Sequence, residues 1–196
     1  MNFLAHVFLS RHDRELLLGN FLGDLIRPAE LPTLDARVQE GVRLHRAIDR
    51  FTDHHPLVRT AVARIRSDHG KYAPVVVDVW FDFLLIRHWS VACPEEAFGA
   101  FRRRAYAQLR ASLDQVPPRL RDRVRGMIRA DWLAVYGTVL GLNDTFQRLE
   151  QRTSRPDLLH GVLRTLDREL PTLDAEFPAF WADLVVFVAR WEDVRA

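Results

Sequence analysis

His45, Asp49 and Asp53 follow one another at four-residue steps in the segment Gly41-Val42-Arg43-Leu44-His45-Arg46-Ala47-Ile48-Asp49-Arg50-Phe51-Thr52-Asp53. In a helix turning about 100° per residue they fall within about 80° of one another, beside an apolar stripe of Leu44, Ile48 and Phe51. One edge of such a helix presents an imidazole and two carboxylates. A His and an Asp one turn apart suit a hard or borderline divalent cation, and further carboxylates favour manganese, magnesium or iron over a structural zinc. An exposed polar face has the same spacing, so the pattern needs support from elsewhere in the chain.

That support comes from Val75-Val76-Val77-Asp78-Val79-Trp80-Phe81-Asp82-Phe83-Leu84-Leu85-Ile86. A helix apolar on every side belongs in a core. Asp78 and Asp82 share one face of it with Val75, Leu85, Ile86 and Trp89, all apolar. Burying an ionised carboxylate costs several kcal/mol or more unless a cation or strong donors compensate. An arginine salt bridge is one solution; a metal or catalytic site is the other. Weaker signals are Asn2, His6, Asn20 and Asp24, the last at a helix C-terminus where the dipole disfavours an anion and an external cation would explain it. No Gly-rich phosphate loop, Gly-x-Ser-x-Gly elbow or Cys-His pair is visible, which removes serine and cysteine nucleophiles.

These residues need helices to hold them. No alternating strand pattern bounded by tight-turn signals occurs, while helix-period segments recur between proline and polar breaks. Helices are predicted over Phe3 to Leu9, Asp13 to Leu25, Asp35 to Asp53, Leu57 to Asp68, and Pro74 to about Trp89. Further ones are predicted over Glu95 to Leu113, Pro118 to Ile128, Asp131 to Leu140, Asp144 to Arg152, Asp157 to Leu166, and Leu170 to Trp191. The expected fold is an all-α helical bundle, and 196 residues without a repeat or linker predict a single domain over 1–196.

The residues Met1-Asn2-Phe3-Leu4-Ala5-His6, Gly19-Asn20 with Asp24, His45-Arg46 with Ile48-Asp49 and Thr52-Asp53, Asp78-Val79, Asp82, and Arg87-His88-Trp89-Ser90 resemble the acyl carrier protein phosphodiesterase family. The resemblance implies an all-helical fold distantly like the HD phosphohydrolases and a divalent cation, usually manganese, with Mg2+ or Fe2+ as alternatives. It implies hydrolysis of the phosphodiester between 4'-phosphopantetheine and a serine of holo acyl carrier protein. Combined with the two helices above, it makes Asp24, His45, Asp49 and Asp82 the expected ligands or water-activating groups, followed by His6, Asp53 and Asp78. Arg46, Arg87 and His88 are expected at the phosphate. One position departs from the family's usual pattern: Phe83 stands where a His often follows the aspartate.

Composition fits this reading. Formal net charge is +2 and Lys71 is the only lysine among 28 basic residues, so the basic side chains are nearly all arginine, the better fork for phosphate and carboxylate. An acidic carrier protein predicts a basic docking face, expected on Arg102, Arg103, Arg104, Arg121 and Arg125. The small net charge and lack of a recognised module argue against nucleic acid. The opening Met1–Ser10 lacks the features of a secretory signal, the apolar run at Val75–Ile86 is too short and too charged to cross a membrane, and lone Cys93 fits a reducing, cytoplasmic setting. Hydrolysis of a nucleotide or other small phosphate ester and non-catalytic carrier binding are the competing expectations.

Overall fold

Asp13 begins the first element whose cause is visible in the sequence: its carboxylate accepts from the backbone N–H groups of Glu15 (3.0 Å) and Leu16 (2.9 Å), satisfying donors that a helix start leaves open. It opens α2 (Arg14–Leu22), which follows α1 (Phe3–Leu9). A computed structural model describes residues 3–193 of the chain, with side chains through Trp191. Among the described residues every regular element is helical: α3 (Ala36–His54), α4 (Pro56–His69), α5 (Ala73–Arg87), α6 (Trp89–Ala92), α7 (Phe98–Ala111), α8 (Pro118–Arg129), α9 (Trp132–Val135), α10 (Val139–Glu150) and α11 (Val162–Asp193), with three short 3-10 turns. The fold is all-α, as the periodicity predicts. Among the described residues no helix is long and apolar enough to cross a membrane.

Glycine at two facing positions lets α2 and α3 touch backbone to backbone. A Cβ on Gly19 would lie 2.0 Å from the Val38 carbonyl oxygen, and one on Gly41 would lie 2.3 Å from that of Leu16. This contact sets Asn20, next to Gly19, against His45, one turn beyond Gly41. It is the main reason the site has its geometry.

Helix α5 runs through the core, with Val76, Val77, Val79, Trp80, Phe81, Leu84 and Leu85 all buried. Asp82 is buried among them, and its carboxylate accepts from the backbone N–H groups of Leu4 (2.8 Å) and Ala5 (3.2 Å). An α5 side chain thus caps α1, a third answer to the burial problem that was neither an arginine nor a metal.

Several boundaries differ from the sequence reading, and the helix read over Asp157 to Leu166 is instead a 3-10 turn, Pro156–Leu159, followed by the start of α11. The segment read as helices over Asp131–Leu140 and Asp144–Arg152 is instead α9, a turn at Tyr136–Thr138, and α10, because Thr138 caps a new helix by accepting from Gly141 N (3.0 Å). The break expected between Leu166 and Leu170 is absent; α11 continues through Pro171 and Pro178. A proline inside a helix costs about 3 kcal/mol, but both rings are exposed while Leu173, Phe177, Phe180, Trp181 and Leu184 are buried. The packing of Phe180 on Phe81 and Trp181 on Phe8 holds the helix in one piece.

Candidate active site

His6 from α1 and His45 from α3 stack ring on ring, centroids 3.9 Å apart. Both are buried, and both are oriented by Asn20 of α2. The Asn20 amide nitrogen donates to the His6 carbonyl (2.9 Å) and to Ser10 Oγ (3.3 Å), while the Ser10 hydroxyl also donates to the His6 carbonyl (2.8 Å). Asn20 Oδ1 is thereby left to accept from His6 Nδ1 (2.9 Å), and the Asn20 backbone carbonyl accepts from His45 Nδ1 (2.8 Å). Gly23 completes the cradle, since a Cβ there would lie 2.1 Å from His45 Cγ.

With both Nδ1 atoms committed as donors, both Nε2 atoms face Asp49. His6 Nε2 lies 3.2 Å from one Asp49 oxygen and His45 Nε2 lies 3.1 Å from the other. Asp24, just past the end of α2 and 60% exposed, stands 3.1 Å from His45 Nε2. A neutral imidazole whose Nδ1 carries the proton offers only a lone pair at Nε2, so a carboxylate opposite it requires a positive species between them, a proton or a metal ion. The donor atoms of His6, His45 and Asp49 lie within 4.8 Å of one another. Two imidazole nitrogens and a carboxylate, with outer partners fixing each ring, fit a divalent transition metal.

The metal-free electrostatics agree. Burial opposes charge on His45, yet its hydrogen bonds to Asp24 and Asp49 overcome this and raise its pKa to about 9. Burial and the neighbouring His45 push His6 below the usual imidazole value. Asp49 is desolvated too, but the hydrogen bonds from His45 and His6 hold it well below the ordinary carboxylate range; the His45 bond does the same for Asp24. The proton on His45 Nε2 therefore lies between the ring and the two anions, in the place a cation would take.

A cavity of about 350 Å³ opens beside the cluster, bounded by Phe3, Asp24, Val75, Asp78, Val79, Trp132, Tyr136 and Leu149, with Arg148 and Arg152 among its lining residues. A second, of about 450 Å³, is lined by Asp53, Val58, Arg59, Arg66 and Asp78. Asp78 belongs to both, and burial pushes its carboxyl above the ordinary range.

The structure thus joins His6, Asp24, His45 and Asp49, and lines the adjoining cavities with Asp53 and Asp78. Asp82 is not brought into the cluster: both its oxygens are engaged by α1, and burial raises its pKa to about 7. Arg87 and His88, expected at the phosphate, both bind Asp174 of α11 (2.8 Å each). Arg46 follows His45 in α3 but is exposed, lines neither cavity, and has no carboxylate partner among the described residues. Of the expected docking arginines, Arg102 pairs with Asp131, Arg104 with Glu96 and Arg125 with Asp122. Arg121 donates to the carbonyls of Val116 and Asp114, and Arg103 is exposed. Asn2 lies outside the described residues. Sequence reasoning undervalued Asn20, although a lone amide in the apolar run Leu16–Leu22 was its signal, and it missed Arg59, Arg66, Arg148 and Arg152.

A model of the acyl carrier protein phosphodiesterase family matches residues 1–184. The chain belongs to the acyl carrier protein phosphodiesterase family. It is 30% identical over 186 residues to the acyl carrier protein phosphodiesterase of Serratia proteamaculans, covering 94% of this chain and 96% of that protein. It is 32% identical over 190 residues to the one from Salmonella dublin, covering 97% and 98%. No solved structure matches. For a member of the acyl carrier protein phosphodiesterase family, Phe83 is the residue of interest: it packs against the apolar core, and the metal-competent cluster forms without a ligand from that position.

Proposed function

We propose that this protein, folded as one helical domain, is a metal-dependent hydrolase that cleaves 4'-phosphopantetheine from the serine of holo acyl carrier protein. The observation that carries the reading is the convergence of His6 Nε2, His45 Nε2 and Asp49 beside an open cavity, in a chain of this family. His6, His45 and Asp49 are the residues that would hold the cation. What a divalent cation supplies there is charge stabilisation on the phosphoryl oxygens and acidification of the attacking water.

The protein's own groups do the rest. Asn20 fixes both imidazoles with Nε2 inward, so the cation finds ligands already aimed. Asp24, ionised and largely exposed at the cavity edge, accepts a hydrogen bond from the attacking water and orients it. Arg46, exposed on α3 directly after His45, is the arginine the family resemblance would set against the phosphoryl group. The mainly apolar cavity wall of Phe3, Val75, Val79, Trp132 and Leu149 excludes water and receives the pantetheine arm. Manganese is the ion that the family resemblance implies, two imidazoles and one carboxylate are a donor set that iron and zinc also accept, and the cytoplasm is the favoured setting.

The test is to incubate the purified protein with holo acyl carrier protein and Mn2+ and follow the intact mass of the carrier. Loss of the phosphopantetheine group, abolished by EDTA, is expected. An unchanged mass with tight carrier binding would make the protein a binder, and cleavage of small phosphodiesters alone would make it a nucleotide-type hydrolase.

A further inference from the structure

The bond broken in the proposed reaction joins phosphorus directly to the carrier's serine oxygen. The carrier surface must therefore lie against the mouth of the site, not an arm's length away, and the pantetheine must point inward. Any docking face has to border the cavities that flank the His6–His45–Asp49 cluster.

Four arginines meet that condition. Arg148 and Arg152, one turn apart around the end of α10, line the cavity that holds Asp24. Arg59 and Arg66, two turns apart on α4, line the cavity on the other side of Asp78. All four are exposed, and none has a carboxylate or hydrogen-bond partner for its guanidinium among the described residues. On α7 and α8, Arg102, Arg104 and Arg125 pair with acidic neighbours, and none of the arginines there, including Arg103, Arg110, Arg123 and Arg129 that have no carboxylate partner among the described residues, lines either site cavity. The hollow between those helices, lined by Arg110, Asp122, Arg125 and Arg129, shares no residue with either site cavity.

Resting on the proposed hydrolysis, we infer that the acidic carrier protein docks across Arg59, Arg66, Arg148 and Arg152, two on each side of Asp78, and not on α7 and α8. The two pairs grip carboxylates on the carrier while Asp24, held ionised at the cavity edge, keeps the floor beside them negative. That floor repels misplaced acidic side chains and leaves the cation as the one attractive centre for the phosphodiester. Unpaired guanidinium groups at a rim act mainly through encounter and orientation, so binding should weaken as salt rises.

Fluorescently labelled holo acyl carrier protein, titrated in EDTA so that no turnover occurs, tests the surface by anisotropy at low salt. The pairs Arg59→Glu with Arg66→Glu, and Arg148→Glu with Arg152→Glu, should each weaken binding by about tenfold or more, and lysine in the same positions should restore most of it. The pair Arg103→Glu with Arg125→Glu should stay within about twofold of the parent. Parent-like binding by either of the first two variants, an equal loss in the α7–α8 variant, or no binding by the parent protein would overturn the inference. Failure of the hydrolysis reads out differently: a protein that binds the carrier through these arginines yet leaves its mass unchanged with Mn2+ keeps the docking surface and loses the reaction.

Discussion

Asp49 and Asp82 solve the burial of a carboxylate in opposite ways. At the junction of α1, α2 and α3, Asp49 meets two imidazole nitrogens, stays partly open at 36% exposure and is held ionised. Inside α5, Asp82 is fully enclosed, meets two backbone N–H groups and is pushed towards its neutral form. The first arrangement leaves a positively charged position that a metal can take over from a proton. The second leaves no room for a ligand and fastens two helices together. Residue type does not separate them; the partner does, and so does access to a cavity.

The sharpest way to break this contrast is to remove each carboxylate. Asp49→Ala should lower phosphopantetheine release on the order of 10³-fold or more and abolish stoichiometric metal binding, with the helical circular dichroism retained. Full activity would sink the assigned centre. Asp82→Ala should instead cost about 2–5 kcal/mol in urea unfolding, since two buried N–H groups lose their acceptor, while the folded fraction still binds Mn2+. Loss of metal at unchanged stability would return Asp82 to the ligand set. Asn20→Leu should fall between them, weakening Mn2+ affinity by about 10–100-fold through misaligned rings, as measured by calorimetry.

A smaller effect separates the two aspartates by pH in metal-free protein. Asp82 has its folded pKa raised to about 7 from an ordinary 3.8, so the folded state holds the proton longer. Its contribution is fully present below about pH 4 and is lost as pH rises through about 7. Asp49 has the opposite sign: lowered in the fold, it stabilises above about pH 4, and that stability is lost on acidification. His45, raised to about 9, stabilises below its ordinary 6.5 and loses that contribution as pH climbs through 9. Subtracting the pH–stability curve of Asp82→Asn from that of the parent should leave a difference that grows downward between about pH 4 and 7. A flat difference would contradict the assignment.

Much of this was readable from the sequence because the causes are local. The helix start at Asp13, the stop before Pro56, and the edge carrying His45 and Asp49 are signals within a few neighbouring residues. Asp24 gave a usable warning: an acid at a helix end is unfavourable, and its bond to His45 is the compensation. What could not be read were partners distant along the chain. The i, i+4 spacing of Asp78 and Asp82 fixes their shared face but cannot tell a cation from the start of a helix 78 positions earlier. The arginines of α7 and α8 looked available because Glu96 and Asp131, which neutralise two of them, sit outside the helices that carry them. Phe83 marks a departure from the family pattern, and the two imidazoles of the cluster come from α1 and α3 instead.

The bond from Leu4 and Ala5 to Asp82 also orders events in time. His6 rides on α1, and α1 is tied down by a residue that leaves the ribosome 78 positions later. At synthesis rates of about 5–20 residues per second, a nascent chain spends several seconds with His6, Asn20, His45 and Asp49 already made while the carboxylate that caps α1 is still to come. A cation centre of the proposed kind would thus be completed late, since a polypeptide stalled before Asp82 carries all three proposed ligands on an α1 whose first N–H groups still lack their acceptor.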